Sequence, residues 1–193
     1  MTTIVKPGAG LLFMKVGTHA QETLEDIIAR KTKEIEETGY AMWGYGGNTC
    51  HPRTMVQPFA EELAARQQPI VLCMQAMESK HFAEPLRANE FSPDGINWQI
   101  IPPTIHVLGS RYALVIKDLR LEEHNLPLNQ TKVAVGNSRG RLGSRYIQGR
   151  VDKACLEVID EPERTNDPET SLIKIDLVAE LAEPYAVFLR DHN

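Results

Sequence analysis

The chain has 193 residues, 42% of them hydrophobic and 24% charged, and a formal net charge of −5. This length and composition predict a soluble domain with a substantial core, and the acidic average is atypical of a protein that coats nucleic acid. No apolar run approaches the ~20 residues that cross a bilayer, so no membrane partner is expected. The first residues lack the charged and apolar regions of a signal peptide.

Strand and helix patterns alternate over the first part of the chain. A short apolar run predicts a strand at residues 11–16. Thr18 with Gln21 three residues later matches a capping box, which predicts a helix that ends at Gly39. We expect the polar face of this helix to be solvated; it carries Glu25, Lys33, Glu34, Glu36 and Glu37.

A second strand, loop and helix follow. Residues 40–43 predict a strand and residues 44–52 a turn-rich loop. Thr54 with Gln57 repeats the capping-box pattern. We therefore expect a second helix, which ends before a buried strand predicted at residues 69–74.

The remainder of the chain has the pattern of a β-rich portion. Residues 92–95 are a strong turn signal. Strands are predicted at residues 105–108, 112–117, 131–135, 146–159 with a break at Gly149, and 172–178. A helix is the alternative at residues 151–159, because their apolar residues do not alternate cleanly. The sequence thus predicts a single α+β domain over 1–193, α/β-like at 1–77 and mainly antiparallel β at 78–193.

Basic residues are concentrated in one window. Residues 131–153 contain six basic residues and one acid, a net charge of +5. The arginines of a glycine- and serine-spaced stretch within it are Arg139, Arg141, Arg145 and Arg150. Guanidinium groups offer paired donors that match phosphate or carboxylate oxygens, and glycine lets a backbone N–H approach a ligand. The stretch predicts an anion-binding site; the alternative is a solvated hairpin whose charges pair with the acidic residues that follow it.

A glycine-rich loop before the second helix is another candidate for ligand binding. A strand, a glycine-rich loop and a helix start together present backbone N–H groups to a phosphate. The candidate contacts are Trp43, Gly44, Tyr45, Gly46, Gly47, Asn48, Thr49 and Arg53. A ring of Trp43 or Tyr45 would stack on a base, and Trp98 and Tyr146 also adjoin turn- or arginine-rich segments. The loop matches neither GxxxxGK[ST] nor GxGxxG, and the alternative is a tight turn beside packed aromatic rings.

Reactive and metal-binding groups are sparse. Cys50 and His51 adjoin the predicted helix start, where a thiolate is stabilised, and His106 stands in an apolar segment. The alternative is that these three residues only pack. The six histidines show no HxH or HExxH spacing, so no metal is predicted, and no cofactor is predicted either. Three cysteines without CxxC spacing indicate a reducing compartment, and hence the cytoplasm.

Together these patterns predict a cytoplasmic protein that binds an anionic small molecule carrying phosphate, and a nucleotide above all. One alternative is a transferase or hydrolase that acts on a nucleotide-like substrate through a cysteine or histidine. Another is a module that contacts RNA, DNA or a protein through the basic stretch, with nucleic acid disfavoured by the acidic average. A homodimer is expected, because symmetric dimers are the commonest assembly.

Overall fold

A mixed sheet of nine strands runs through the part of the chain that the structure describes. This structure is a computed structural model, and it describes residues 6–18, 22–46, 51–78, 87–107, 110–148, 151–164 and 171–191. The strands are β1 (Gly10–Thr18), β2 (Ala41–Gly46), β3 (Val71–Glu78), β4 (Glu90–Ser92), β5 (Gln99–Ile100), β6 (Tyr112–Pro127), β7 (Thr131–Val133), β8 (Lys153–Val158) and β9 (Leu172–Arg190). The α-helices are α1 (Leu24–Thr38), α2 (Arg53–Ala65) and α3 (Gly143–Tyr146).

The sheet is mainly antiparallel, as an α+β fold requires. Its order is β2-β6-β9-β3-β1-β8-β7, with β4 and β5 attached beside β9. Among the strands that the structure describes, only β1 and β3 pair in parallel. The predicted α/β-like portion does not form a sheet of its own, because the long strands β6 and β9 lie between β2 and β3. Both portions of the chain therefore contribute to one sheet.

The first helix is capped at a different place from the one predicted. Thr18 ends β1, where it is paired with Glu78 of β3, so it is not available to begin a helix. The capping box is formed instead by Thr23 and Asp26, whose backbone N–H groups each donate to the other's side chain. The predicted end at Gly39 is confirmed, with a left-handed φ of +88°.

One acid on the supposedly solvated face of α1 is buried. Glu34 is 1% exposed and Lys31, one turn earlier, is 4% exposed. Their side chains form an ion pair of 2.9 Å, and Lys31 Nζ also donates to the carbonyl of His106 at 2.7 Å. The prediction of a solvated Glu34 is wrong, because the segment before β6 packs over this part of the helix and covers it.

The second helix begins earlier than predicted and without a capping box. Pro52 occupies the N-cap position, and no side chain caps the helix. Gln57 accepts a hydrogen bond from the backbone N–H of Ala186 at 2.9 Å, so its side chain anchors α2 to β9 instead. The predicted buried face is confirmed; it consists of Val56, Phe59, Ala60 and Leu63.

The C-terminal portion differs from its prediction in two places. Residues 105–107 form no strand, although Ile105 and Val107 are buried. The strand predicted at 146–159 is divided into the end of α3 and strand β8, and β8 excludes the alternative helix at 151–159. The turn at 92–95 is confirmed, with Asp94 accepting hydrogen bonds from Ser92, Ile96 and Asn97. No helix among the described residues is long and apolar enough to cross a membrane.

Candidate functional site

At the start of α2, the backbone N–H groups of Arg53 and Thr54 have no hydrogen-bond acceptor among the described residues. Acidic side chains are absent from the first turn of α2, whereas α1 has Glu25 and Asp26 there. A helix start in this condition attracts anions through its free N–H groups and its positive dipole end.

Residues that adjoin the two predicted segments line one space at this helix start. We use the term turn cleft for a space of about 180 Å³ lined by His51, Pro52, Met55, Val135, Gly136, Asn137, Ser138 and Tyr146. Gly136 has a left-handed φ of +74°, and a Cβ there would lie 3.3 Å from the sulfur of Met55. The beginning of the arginine–glycine stretch therefore packs directly on the first turn of α2.

Among the described residues, the arginines of the stretch do not line the turn cleft. Arg141 and Arg145 are exposed and form no ion pair with another described residue. Arg139 instead borders a small space of about 30 Å³ together with Glu62 and Glu157. These two acids form ion pairs with Arg66 rather than with Arg139. Arg150 lies outside the described residues.

The aromatic rings next to the glycine loop belong to the core. Tyr45 is fully buried, and its hydroxyl donates to the carbonyl of Phe13 at 3.0 Å. Trp43 is 7% exposed, with its ring N–H 3.3 Å from the sulfur of Met14. Neither ring can stack on a base in this position, which favours the packing alternative for both.

The loop itself is shorter than predicted. Gly44 and Gly46 lie within β2 and flank a β-bulge in its pairing with β6. A Cβ on Gly46 would lie 3.1 Å from the Tyr112 ring, so glycine is needed there for packing. Gly47, Asn48, Thr49 and Cys50 lie outside the described residues.

A larger cleft lies on the other side of Pro52. We name it the arginine–tryptophan cleft: it has a volume of about 430 Å³ and is lined by Pro52, Arg53, Thr54, Trp98, Arg111, Tyr112, Phe188 and Leu189. The sequence analysis did not identify Arg111 and Phe188, because neither belongs to a glycine-rich or arginine-rich stretch. The presence of Arg111 next to the glycine loop is a result of the pairing of β2 with β6; its N–H donates to the carbonyl of Gly46 at 3.1 Å.

His51 is held at the boundary of the turn cleft. Its backbone has a left-handed φ of +52°, its carbonyl accepts a hydrogen bond from the Tyr112 hydroxyl, and its ring centroid is 6.1 Å from that of Tyr146. Burial lowers the pKa of His51; the Lys153 ammonium lowers it further, and Asp152 opposes that effect. The imidazole is therefore neutral at pH 7, with one nitrogen as donor and one as acceptor.

The lowered pKa of His51 predicts a loss of stability in mild acid. In the unfolded chain this histidine binds a proton near its ordinary pKa of 6.5, whereas the folded protein resists protonation, so the free energy of unfolding falls as pH decreases below that value. We expect the urea midpoint to decrease between pH 7 and pH 5.5, and to decrease less in His51→Gln. Equal decreases in both proteins would contradict the prediction.

His106 has a structural environment rather than a reactive one. Its backbone N–H donates to Glu34 at 3.1 Å and its carbonyl accepts from Lys31. Its Nδ1 is buried without a hydrogen-bond partner among the described residues. Burial and the positive charge of Arg87 lower its pKa, so the ring is uncharged at neutral pH. This favours the alternative of a packed interior histidine.

No group of three or more histidine, cysteine, aspartate or glutamate side chains is arranged to hold a metal ion within the described ranges. Cys73 is fully buried, and burial raises the pKa of its thiol to about 12, so it is not a nucleophile.

No protein-family model matches the chain, and no match was found among curated proteins or solved structures.

Proposed function

We propose that the protein binds a phosphate-bearing small molecule, a nucleotide above all, at the start of α2. One observation carries the proposal: the first turn of α2 and residues 135–138 line the same turn cleft. A phosphate there would accept hydrogen bonds from the free N–H groups of the helix and from the side chains of Asn137 and Ser138. Asn48 and Thr49, which precede the helix in sequence, complete the cradle in this proposal.

The exposed arginines supply the charge in this proposal. Arg141 and Arg145 have no acidic partner among the described residues, so their guanidinium groups are available to phosphate oxygens. The buried free cysteine Cys73 is consistent with a reducing compartment such as the cytoplasm. A homodimer also stays a proposal.

The test is ligand binding by a variant without these two charges. We expect Arg141→Ala/Arg145→Ala to bind nucleotides at least 10-fold more weakly than the parent, because two charge-assisted contacts are lost. Binding is measured by equilibrium dialysis, after a thermal-shift screen of nucleotides, sugar phosphates and inorganic phosphate. The control is Lys33→Ala/Lys117→Ala, which removes two exposed charges elsewhere. Unchanged affinity in the arginine variant would exclude these two residues from the site.

Two other functions have some support. Arg141 and Arg145, which form no ion pair with another described residue, would also suit a phosphodiester backbone, and affinity for RNA or DNA would then fall steeply with salt. The neutral imidazole of His51 beside the turn cleft would suit a general base in a transferase or hydrolase. Altered ligand recovered from the dialysis experiment would favour the enzyme.

A further inference from the structure

The arginine–tryptophan cleft has properties that phosphate binding at the turn cleft does not use. Its volume of about 430 Å³ lies within the range of small-molecule pockets and exceeds what a phosphate alone requires. Pro52 lines both clefts, so a ligand with its phosphate at the start of α2 has this second space directly beside it.

The charge of this cleft is positive. Of the described residues that line it, two are arginines and none is acidic. Arg53 is fixed: its Nε donates to the carbonyl of Ala186 at 2.8 Å, its Nη2 donates to the carbonyl of Pro93, and its guanidinium lies 4.3 Å from the centroid of the Phe188 ring. Arg111 is exposed, and its side chain forms no hydrogen bond or ion pair with another described residue.

The cleft also contains an aromatic ring that is held by a neighbouring arginine. The guanidinium of Arg190 lies 4.0 Å from the centroid of the Trp98 ring, and Arg190 Nε is in turn bonded to Glu90 at 2.6 Å. The turn that leads to Trp98 is fixed by Asp94, whose carboxylate accepts the N–H groups of Ile96 and Asn97 at 2.8 Å. A ring immobilised before binding is a good stacking surface, since little conformational entropy is lost when a ligand arrives.

We propose that the arginine–tryptophan cleft binds the base of the ligand, so that the ligand is a nucleoside phosphate and not a sugar phosphate. Trp98 stacks on the base. Arg111 donates hydrogen bonds to acceptor atoms of the base or to the phosphate of the ligand. This inference rests on the proposed function, because it places the base relative to a phosphate at the start of α2.

The experiment compares ligands with and without a base. Dissociation constants are measured by isothermal titration calorimetry for AMP, GMP, CMP, UMP and ribose 5-phosphate, with the parent and with Trp98→Leu, Trp98→Phe and Arg111→Ala. In the parent, the best nucleotide is expected to bind at least 10-fold more tightly than ribose 5-phosphate. Trp98→Leu is expected to remove about 10-fold of nucleotide affinity and to leave ribose 5-phosphate unchanged, because stacking on an aromatic ring contributes about that factor per base.

The remaining variants distinguish the contribution of the Trp98 ring to affinity from that of the Arg111 charge, and both from an effect on folding. Trp98→Phe is expected to retain most of the nucleotide affinity, since it keeps an aromatic face, and Arg111→Ala is expected to weaken nucleotide binding. Urea midpoints confirm that each variant is folded. Equal affinity of the parent for nucleotides and ribose 5-phosphate would overturn the base site and leave the phosphate proposal in place. Failure of every phosphate ligand to bind would overturn both.

Discussion

Replacing Lys31 with methionine is expected to lower the free energy of unfolding by about 3–5 kcal/mol, the usual effect of removing one partner from a buried ion pair. The Glu34 carboxylate would remain at 1% exposure without its cation. The carbonyl of His106, which now accepts from Lys31 Nζ at 2.7 Å, would lose its donor. Burial already lowers the pKa of Lys31, and the charge of Glu34 opposes that effect. The measurement is urea unfolding at pH 7.

Lys33 provides the matched control on the same helix. The Lys33 side chain is 75% exposed, and its Nζ lies 3.8 Å from Oε1 of Glu37. Because such an exposed ion pair contributes little, Lys33→Met should change the free energy of unfolding by less than about 0.5 kcal/mol. A loss below about 1 kcal/mol in Lys31→Met would mean that the Glu34 carboxylate reaches water or takes up a proton.

Substituting alanine for Gly143 is expected to lower the free energy of unfolding by about 3 kcal/mol, at the upper end of the usual cost of overpacking. A Cβ at this position would lie 2.0 Å from Thr131 Oγ1 and 2.9 Å from the carbonyl oxygen of Leu128. Thr131 is fully buried, and its hydroxyl donates to that same carbonyl at 2.8 Å. Because neither group can move aside freely, α3 must shift, and Tyr146 at the turn cleft shifts with it.

Substitution of the adjacent serine shows whether stability is lost through close packing at Gly143 or through any substitution in α3. Ser144 is 2% exposed, and its hydroxyl has no hydrogen-bond partner among the described residues. Ser144→Ala removes a desolvated hydroxyl, so its stability should equal or slightly exceed that of the parent. Urea unfolding of both variants measures the difference. If Gly143→Ala were as stable as Ser144→Ala, the contact between Gly143 and Thr131 would not be tight.

Elements whose physics is local could be predicted from the sequence. The strands at 11–16, 40–43 and 69–74 are apolar runs, and the buried face of α2 has helical spacing. Gly39 ends α1 because a left-handed residue there suits glycine. Asp94 organises its turn through its own neighbours in sequence. In each case the residues that form the contact lie within a few positions of one another.

Only the tertiary structure decided which side chains are buried and which loops meet. Thr18 matched a helix cap, yet pairing with β3 extends β1 through it. Glu34 matched a solvated face, yet the segment at 101–107 covers it. The turn cleft and the position of Arg111 depend on strand pairing between distant parts of the chain. The sequence by itself predicted an anionic ligand, because a local concentration of arginine and glycine can be recognised without the structure. The location of a site for it depends on long-range packing, which has no signature in a local pattern.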